Sequence, residues 1–418
     1  MDGCIRRPRR PMLAGAIMVL AASGALAEPA PPFAQLLRQA ANAPRVAALN
    51  ADVARAEGLS DQARARPNPN VSLYTENIAG SSPYRGFDRA ETTLQVNQSI
   101  ELGGKRSARI AAGQAGVATA QARTLQARID FADRLARAYA AAERAERRIA
   151  LAGEEVEEAD EDLRAARALV IAGKEARLRS LQAESELQMV EADLEQAKAA
   201  HRAALARLSA LAGAERPFTG LSESLLDRIG ARPAAGPPDP MQSAAVRVAD
   251  AERVAAASQL VTERRRAIPD VTAQFGVRRL AGDDATAVMA GISLPIGLFD
   301  RNRGNIAAAA ADLTASEART HAARLEAQAD IAAALAQAEA SDARIAAARR
   351  ALATAEETYR LARIAYQAGK SPLSELLTAR HGLGAAGGMA LEAASARFDA
   401  RADLSRLQGL TITGDPVQ

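Results

Sequence analysis

The sequence contains an internal duplication, and any fold of this chain must accommodate it. When the chain is aligned with itself at an offset of 196 residues, the triplet Ala-Gly-Lys at 172–174 falls on an identical triplet at 368–370. Arg148 falls on Arg344 in the same register, which continues without a gap from about residue 96 to residue 213. A repeat of this kind indicates one supersecondary unit that is used twice. We therefore expect two halves with the same order of elements.

Each half is predicted to contain a helix, two strands and a long helical hairpin. Alanine, glutamate, arginine and leucine dominate the long segments, and these residues lose little side-chain freedom in a helix. The first half, residues 28–229, is predicted to hold strands at 71–78 and 91–101 and long helices at 105–170 and 178–211. The second half, residues 241–410, is predicted to hold strands at 271–279 and 286–296 and long helices at 302–366 and 373–407. A proline- and glycine-rich connector, residues 230–240, joins the halves, and residues 411–418 form a tail.

The first 27 residues are predicted to be a secretory signal peptide. Four arginines precede an apolar run at 12–26, and the sequence Ala-Leu-Ala at 25–27 is typical of a cleavage site. The alternative is a membrane anchor, but the apolar run is short for a membrane span. Cys4, the only cysteine, lies within the signal, so no disulfide or thiolate site is expected in the mature chain.

Removal of this signal also changes the charge balance of the chain. Four of the 53 basic residues and one of the 50 acidic residues lie in the first 27 positions, which leaves 49 of each. A chain without net charge offers no broad electrostatic footprint for nucleic acid, so no nucleic-acid partner is expected.

The predicted strands alternate between apolar and polar side chains. Leu94, Val96 and Ile100 share one face of the second strand, whereas Gln95 and Asn97 share the other. Two structures produce this period of two. One is a transmembrane β-barrel with lipid outside and water inside, and the other is an ordinary half-buried antiparallel sheet. The strand pattern alone does not distinguish between these two structures.

The length of the predicted helices indicates an assembly. Residues 105–170 would form about 100 Å of helix at about 1.5 Å per residue, which no globular core of this chain could cover. The many small side chains allow helices to approach closely, so a coiled-coil or helical-barrel assembly is expected. Four strands are also too few to close a barrel, which needs about eight or more, so several copies of the chain would have to supply them.

Motifs at the ends of the predicted strands resemble those of a known family. Residues 68–73 read Asn-Pro-Asn-Val-Ser-Leu, and residues 98–106 read Gln-Ser-Ile-Glu-Leu-Gly-Gly-Lys-Arg. The first motif resembles the first strand, and the second the strand-to-helix junction, of the CzcC-type heavy-metal branch of the TolC family of outer-membrane efflux proteins. Leu-Pro-Ile at 294–296 stands at the matching junction of the second half. The resemblance covers essentially the whole mature chain.

The resemblance implies a mainly α protomer with a small transmembrane β part. Members of the family are trimers in which each protomer gives four strands to a shared twelve-stranded β-barrel, and this barrel continues into a periplasmic α-helical barrel. The implied function is passive export through the outer membrane, as the channel of a tripartite RND-type efflux system, with divalent heavy-metal cations as substrate. The implied partners are a homotrimer of the chain, a periplasmic adaptor (membrane fusion) protein, an inner-membrane RND transporter and outer-membrane lipid.

A periplasmic adaptor and a coiled-coil structural protein of an envelope assembly are the alternative interpretations. An adaptor also uses helical hairpins, but it gives no reason for two near-equal halves with paired amphipathic strands. A structural coiled coil would show sustained heptads and no strand pairs.

The resemblance also implies roles for three groups of residues. The barrel-to-helix junction is expected at Gly103, Gly104, Lys105, Arg106 and Pro295. The periplasmic tip, where an adaptor would dock, is expected at Gly173, Lys174, Gly369 and Lys370. A latch that constricts the tip is the hypothesis for Arg179, Tyr366 and Glu375, with unrelated exposed side chains as the alternative for Arg179 and Glu375. Thr378 stands where relatives often carry a second acid, so that part of the family pattern is missing.

Side chains for catalysis or metal binding do not form a recognisable pattern. His201, His321 and His381 lie far apart, and none has a His or Cys three or four residues away. The acidic run at 154–162 is interpreted as a solvated helix face, with a cation-attracting stripe in the channel as the alternative. No nucleophile and base occur together, so neither an enzyme nor a cofactor is expected.

Overall fold

The computed structural model describes residues 28–41, 43–230 and 238–417, and its elements occur twice in the same order. The first half contains α1 (Phe33–Ala40), α2 (Pro44–Ala63), β1 (Asn70–Glu76), β2 (Glu91–Ile100), α3 (Lys105–Ile171) and α4 (Arg177–Ala212). After α5 (Leu225–Gly230) and a short 3-10 helix (Pro240–Gln242), the second half contains α6 (Ala244–Arg266), β3 (Val271–Leu280), β4 (Ala285–Ser293), α7 (Arg303–Gln367) and α8 (Leu373–Leu407). The predicted order of a helix, two strands and a long hairpin in each half is confirmed.

Some expectations lie outside the described residues. The signal peptide at 1–27, with its cleavage site and Cys4, is one of them. The central part of the connector, residues 231–237, is another, and so is Gln418 at the end of the predicted tail.

Two helical hairpins dominate the structure. α3 has 67 residues and α7 has 65, so each is about 100 Å long at about 1.5 Å per residue. α3 packs along α4 and α7 along α8, while α6 contacts both α3 and α7. Half of the buried positions of α3 are alanine, which allows the neighbouring helices to approach closely. Among the described residues no helix combines the length and the apolar content needed to cross a membrane.

A four-stranded antiparallel sheet joins the two halves in the order β1-β2-β3-β4. β2 of the first half pairs with β3 of the second, with Leu94 opposite Val277 and Val96 opposite Phe275. α3 follows β2 and α7 follows β4, so both long hairpins begin beside the sheet. The turns at the far ends of α3 and α7 therefore lie about 100 Å away from it along the helices.

Two observed strand ends differ from the predicted ones by more than one residue, and both have a local reason. β1 ends at Glu76 instead of residue 78, because Asn77 adopts a left-handed backbone conformation with φ of 60°. β4 ends at Ser293 instead of residue 296, since Pro295 has no N–H group to donate to a neighbouring strand.

The main hydrophobic core lies near the middle of α3, where α1, α4, α5 and α8 meet it. Phe33, Leu135, Tyr139, Leu208 and Leu225 are all fully buried there. Phe33 and Tyr139 meet edge to face with ring centroids 6.2 Å apart, an arrangement that adds about 0.5–1.5 kcal/mol beyond their burial. This core holds the short elements against the hairpins, between the sheet and the distant turns.

Candidate functional site

One face of the four-stranded sheet is apolar and exposed. The strand register places Leu73, Leu94, Val277 and Val288 in one row across all four strands. Their exposed fractions are 66%, 52%, 47% and 83%, so the described part of the chain does not cover this row. A sheet half-buried by the chain's own helices, one of the two predicted alternatives, would hide these side chains. That alternative is therefore wrong for the protomer.

The opposite face of the sheet is polar, and its side chains bind one another across strands. The Arg278 guanidinium donates to the Thr93 hydroxyl at 3.0 Å and to the Glu91 carboxylate at 2.9 Å. The Asn97 amide donates to the Ser72 hydroxyl at 3.2 Å. One face of the sheet is therefore apolar and the other is polar, as the period of two in the sequence predicts.

Both outer strands of the sheet have an unpaired edge within the described residues. β1 pairs only with β2, and β4 pairs only with β3. The outer N–H and C=O groups of β1 and β4 are therefore available to further strands. An edge of this kind is a template for strand pairing between chains.

The junction from β2 to α3 is built on two glycines and an ion pair. Gly103 and Gly104 adopt left-handed conformations with φ of 66° and 75°, and a Cβ atom at Gly103 would collide with the side chain of Ile268. The Lys105 ammonium lies 2.8 Å from the Asp270 carboxylate, which also accepts the backbone N–H of Leu102 at 3.1 Å. The junction is thereby fastened to the segment that leads into β3.

The remaining junction residues behave differently from one another. Arg106 donates to the backbone carbonyl of Arg64 at 3.0 Å, which ties the start of α3 to the end of α2. Pro295, in contrast, lies in a fully exposed segment after β4. The apolar side chains of Ile296 and Phe299 in this segment are 78% and 101% exposed. The two junctions therefore occupy matching places in the duplication but present different surfaces.

The turns at the ends of α3 and α7 have the same backbone structure. Gly173 and Gly369 adopt left-handed conformations with φ of 72° and 69°. The N–H of Lys174 donates to Leu169 and that of Lys370 to Ala365, both over five residues and both at 2.9 Å. This is the Schellman C-cap, which favours glycine because a side chain strains the left-handed conformation. The repeated Ala-Gly-Lys triplet therefore encodes two equivalent turns, with Lys174 and Lys370 at matching positions.

Tyr366, one of the three proposed latch residues, lies inside the tip and not on its surface. Its side chain is fully buried among Leu163, Leu373 and Leu376. Within the described residues its hydroxyl has no hydrogen-bond partner. Burial raises the pKa of this hydroxyl, and the negative charge of Glu175 acts in the same direction. Tyr366 therefore contributes to the small hydrophobic core that joins the two hairpins near their ends.

Arg179 and Glu375, the other two latch residues, do not meet within one chain. Arg179 donates to Gln182 at 3.0 Å and lies 3.9 Å from Glu175, so its partners belong to the first hairpin. Glu375 is exposed near the start of α8 and borders an open groove of about 1070 Å³ between α7 and α8. Thr378 borders the same groove. An Arg179–Glu375 ion pair would therefore have to form between neighbouring chains.

A buried ion cluster connects the two hairpins close to the tip. Arg380 on α8 is 4% exposed, and its guanidinium lies 3.4 Å from Asp162 of α3 and 2.9 Å from Glu186 of α4. The Tyr359 hydroxyl of α7 donates to Asp162 at 3.1 Å. The His381 ring, beside Arg380, lies 2.9 Å from Glu186. All four long helices therefore contribute to one cluster.

The sequence interpretation of residues 154–162 is wrong at Asp162. This acid is 1% exposed and faces the neighbouring helices, so it belongs neither to a solvated face nor to a stripe in the channel. The sequence contains a signal for this burial in the spacing between Asp162 and nearby alanines. Ala159, Asp162 and Ala166 are three and four residues apart, so Asp162 lies on the helix stripe that carries buried alanines.

Burial changes the titration of two carboxyl groups of α3. Desolvation raises the pKa of Glu158 to about 7, and the neighbouring charge of Asp162 acts in the same direction. Desolvation also raises the pKa of Asp162 to about 6, although Arg380 and the Tyr359 hydroxyl oppose this effect. Glu158 borders a cavity of about 690 Å³ between α3, α5, α7 and α8. Both carboxyl groups therefore change charge well above the pH at which exposed carboxyl groups do.

The three histidines occupy separate places on the long helices. His201 lies on α4, His321 on α7 and His381 on α8, where it contacts Glu186. Over the ranges that the structure describes, no group of three or more His, Cys, Asp or Glu side chains is arranged to hold a metal ion.

Comparison with known proteins identifies relatives of both halves. The outer membrane efflux protein family matches residues 36–214 and 241–410. The nickel and cobalt resistance protein CnrC of Cupriavidus metallidurans is 42% identical over 322 residues, which are 77% of this chain and 76% of CnrC. The cobalt-zinc-cadmium resistance protein CzcC of the same organism is 28% identical over 333 residues, 78% of this chain and 77% of CzcC. The predicted resemblance to the heavy-metal branch of the family is confirmed.

The fold is also similar to that of solved proteins. CusC, whose transmembrane channel formation has been described from crystal structures, superposes with a TM-score of 0.78 at 18% sequence identity. The superposition covers 90% of this chain and 92% of CusC. The likeness in fold agrees with the predicted mainly α protomer that carries a small sheet, and the family match spans both of its halves. The chain therefore belongs to the outer membrane efflux protein family.

Proposed function

We propose that three copies of this chain form a channel through the outer membrane, and that this channel passively exports divalent heavy-metal cations. Each chain would contribute its four strands to one closed β-barrel, and the long hairpins would extend into the periplasm as an α-helical barrel. An inner-membrane transporter would supply the energy for export. The channel itself would supply only a path of fixed shape and charge.

The exposed apolar face of the sheet carries this proposal. Leu73, Leu94, Val277 and Val288 would lose their contact with water once lipid covered them, and burial of each such side chain is worth about 1.5–3 kcal/mol. The polar face around Arg278 would then line a water-filled interior, as in transmembrane barrels.

The free edges of β1 and β4 support closure of the sheet by neighbouring copies. A sheet edge that faces lipid leaves backbone groups without hydrogen-bond partners, which costs several kcal/mol for each group. Four strands cannot close a barrel, whereas twelve can, so three copies satisfy every edge. An exposed amphipathic sheet of this kind would have no role in a periplasmic adaptor or in a coiled-coil structural protein.

The relatives support a metal cation as the substrate. CnrC is a nickel and cobalt resistance protein, and CzcC is a cobalt-zinc-cadmium resistance protein. The acidic stretch of α3 supports the same class of substrate, because Glu154 and Glu157 are exposed there and carry negative charge. Exposed carboxylates along a channel raise the local concentration of cations.

The two equivalent turns support a docking role for the tip. Gly173 and Gly369 present Lys174 and Lys370 at matching positions of the two hairpins. Three chains would place six such turns in a ring at the periplasmic end. We infer that a periplasmic adaptor docks on this ring and that the adaptor links the channel to an inner-membrane RND transporter.

The latch hypothesis takes a form that involves neighbouring chains. Arg179 and Glu375 are on different hairpins near the tip, and Glu375 has an exposed side chain. A charge-assisted contact between Arg179 of one chain and Glu375 of the next would constrict the tip at rest. Tyr366 would act from inside the tip, by holding α7 against α3 and α8.

The first experiment is the mass of the purified protein in detergent, after correction for bound detergent, together with single-channel recording in a planar lipid bilayer. A trimer that inserts and conducts supports the proposed channel. A monomer that stays in solution without detergent and never conducts contradicts it.

The second experiment tests the substrate. The gene is expressed in a host that lacks its own metal-efflux channel but keeps the matching adaptor and transporter, and accumulated nickel, cobalt and zinc are measured. Lower accumulation of these cations than in the empty host supports metal export. Unchanged metal accumulation in cells that contain the assembled trimer contradicts it.

A further inference from the structure

All four links between the strands and the helices lie at one end of the sheet. Ile100 at the end of β2 is opposite Val271 at the start of β3. The same antiparallel register puts the start of β1 and the end of β4 at this end as well. Together with the helix residues that adjoin them, the links comprise residues 64–69, 101–106, 264–270 and 294–303.

These links are strongly basic. They carry nine basic and three acidic residues, an excess of six positive charges, although residues 28–418 as a whole carry no net charge. The loops at the opposite end of the sheet, residues 77–90 and 281–284, carry two basic and three acidic residues. The positive charge therefore belongs to one end of the sheet. We call its nine basic residues the basic belt: Arg64, Arg66, Lys105, Arg106, Arg264, Arg265, Arg266, Arg301 and Arg303.

Two-thirds of the basic belt has no acidic partner. Three belt residues form ion pairs, namely Lys105 with Asp270, Arg266 with Glu263 and Arg64 with Asp61. The other six are exposed and form no ion pair with any residue that the structure describes: Arg66, Arg106, Arg264, Arg265, Arg301 and Arg303. Positive charges that are crowded in this way repel one another, so the belt is suited to an anionic partner.

The helix dipoles do not account for the basic belt. The three arginines in the last turn of α6 lie at the negative end of that helix, where cations are favourable. Lys105 and Arg106 begin α3, however, and Arg303 begins α7, at the positive ends of these helices. Within the described part of the chain, neither helix has an acid in its first turn or a side-chain hydrogen bond from its N-cap. Both helix starts therefore lack the negative charge that favours such an end.

An exposed apolar segment, residues 294–299, adjoins the basic belt. The exposed apolar side chains of β4 include Val288 and Ile292. Beyond the strand end they are followed by Ile296, Leu298 and Phe299, which are 78%, 67% and 101% exposed. The apolar surface of the sheet therefore continues past the last hydrogen-bonded residue of β4 and ends beside the arginines.

The structure fastens this apolar segment to the basic belt. The Asn302 side chain donates to the backbone carbonyl of Glu263 at 2.8 Å and to its carboxylate at 2.9 Å. Arg301 donates to the backbone carbonyl of Gly297 at 3.2 Å. These bonds hold the start of α7 against the end of α6, where Arg264 follows Glu263. The apolar segment and the arginines around it thus form one surface.

The length of the strands sets the level of this surface in a membrane. β2 and β3 have ten residues each, which is about 34 Å at about 3.4 Å per residue. At the tilt of about 35–45° that is usual in barrels, they span about 24–28 Å, close to the apolar band of about 25 Å on such barrels. The basic belt would therefore lie where the hydrocarbon ends and the phosphate groups of the lipid begin.

We propose that the basic belt and the apolar segment 294–299 bind anionic phospholipids of the leaflet that faces the periplasm. The guanidinium groups would donate paired hydrogen bonds to the headgroup phosphates, a geometry that arginine matches well. Phe299 and the aliphatic side chains near it would contact the upper part of the acyl chains. The inference rests on the proposed function, because it requires the sheet to lie in the membrane. It adds to that function a lipid partner of defined charge.

The experiment measures which phospholipids the assembled channel retains. The wild type is inserted into vesicles of equal amounts of phosphatidylethanolamine and phosphatidylglycerol and is extracted in a mild detergent, and the retained lipids are quantified by mass spectrometry. Both lipids carry a phosphate, but only phosphatidylglycerol has a net negative charge. We expect it to be enriched about fivefold or more, because each basic residue near an anionic surface adds a favourable interaction. The enrichment should fall in about 0.5 M salt, which screens exposed charges.

A matched pair of variants assigns the enrichment to the basic belt. The belt variant removes four exposed arginines that have no ion pair in the described part of the chain, by Arg264→Gln, Arg265→Gln, Arg301→Gln and Arg303→Gln. The control variant removes four exposed arginines of α4 and α7 that likewise have no ion pair there, by Arg202→Gln, Arg207→Gln, Arg344→Gln and Arg350→Gln. Arg344 lies 41 residues after Arg303, about 60 Å further along α7. The belt variant should lose most of the enrichment, and the control should keep it.

A fluorescent probe tests the apolar segment without removing a charge. The chain contains no tryptophan, so Phe299→Trp introduces a single one. Its emission in vesicles should be quenched by phospholipids that carry a quencher near the headgroup. Ile171→Trp is the control, because Ile171 is 87% exposed at the distant end of α3, and its emission should stay unquenched. This measurement decides the matter if the belt variant fails to assemble.

Each possible result has a definite meaning. A wild type that inserts and conducts but retains both phospholipids equally overturns the lipid site and leaves the proposed channel intact. Equal losses in the belt variant and its control overturn it too, because the preference would then reflect total charge. An unquenched Phe299→Trp overturns the contact of the apolar segment with lipid, and the proposed site with it. If the wild type neither inserts nor conducts in vesicles of any composition, the proposed function fails and the lipid site fails with it.

Discussion

The Glu143 carboxylate of α3 caps α5, because its Oε2 atom accepts the backbone N–H of Leu225 at 2.8 Å. The same oxygen accepts the N–H of Leu226 at 3.0 Å, and Oε1 accepts from Ser224 at 2.6 Å and from Arg147 at 2.7 Å. Glu143 is 4% exposed, so these four donors largely replace water around its carboxylate, and Arg147 balances its charge. A negative charge at the start of a helix is also favourable to the helix dipole.

We expect Glu143→Gln to lower the free energy of unfolding by about 2–3 kcal/mol, because the amide turns one acceptor into a donor that faces other donors. Glu146→Gln, one turn further along α3 and exposed, should change stability by less than about 0.5 kcal/mol. The midpoint of thermal unfolding in detergent, followed by circular dichroism, measures the stability of both variants. Equal midpoints for the two variants would show that the cap contributes nothing.

Two glycines provide a matched test of backbone constraint. Gly103 has a φ of 66° and no room for a Cβ atom beside Ile268, so Gly103→Ala should cost about 2–4 kcal/mol of stability. Gly58 lies inside α2 with open space around it, so Gly58→Ala should stabilise the protein by about 0.5–1 kcal/mol. Unfolding midpoints of the two variants should move in opposite directions. A shift of the same sign in both would contradict the argument.

Neighbouring residues of β2 test which face of the sheet meets lipid. Leu94 lies on the exposed apolar face and Gln95 on the polar face. An arginine on the lipid face of a barrel costs about 2–4 kcal/mol near the middle of the membrane. Leu94→Arg should therefore reduce the yield of protein that folds into lipid vesicles, whereas Gln95→Arg should fold nearly as well as the wild type. Protection from protease after mixing with vesicles measures this yield, and the reverse ranking would place lipid on the other face.

The buried carboxyl group of Asp162 predicts how stability depends on pH. Its pKa is raised to about 6 in the folded protein, so the folded state favours the protonated carboxyl group. The stability that this protonation contributes is fully present below the pKa of Asp162 in the unfolded chain, and it is lost as pH rises through about 6. From pH 4 to pH 8 this loss is on the order of 2–3 kcal/mol. Asp162→Asn should remove this part of the pH dependence of the unfolding midpoint, while the part that comes from Glu158 remains. Glu157→Gln, on the exposed side of α3, should leave the dependence unchanged, and an equal flattening in both variants would remove Asp162 as its cause.

Much of the fold follows from patterns that are local in the sequence. The duplication at an offset of 196 residues predicts two equivalent hairpins, because equal sequences obey the same local rules. Gly173 and Gly369 mark the two turns, since a left-handed C-cap favours glycine in any context. The alternation around Leu94 predicts two unlike faces of a strand, because successive side chains point to opposite sides.

Other features depend on which surfaces meet, and only the tertiary structure decides them. Asp162 belongs to an acidic run whose neighbours are partly exposed, and it is buried because α8 brings Arg380 against that one position. Nothing in the local sequence distinguishes Gly103 from other turn glycines. Only the fold brings Ile268, 165 residues later, against it. From the sequence, Tyr366 is expected to constrict the tip, but the packing of the two hairpins buries its side chain.

The division between these two classes has a physical reason. Helix caps, strand periods and repeats arise from interactions within a few residues, so the sequence alone determined the two hairpins, their turns and the amphipathic strands. Burial of Asp162 and the approach of Ile268 arise from contacts between segments far apart in the chain. On a helix of about 100 Å, the local pattern does not specify which other helix will cover a given stretch. The packing of the two hairpins against each other decided that.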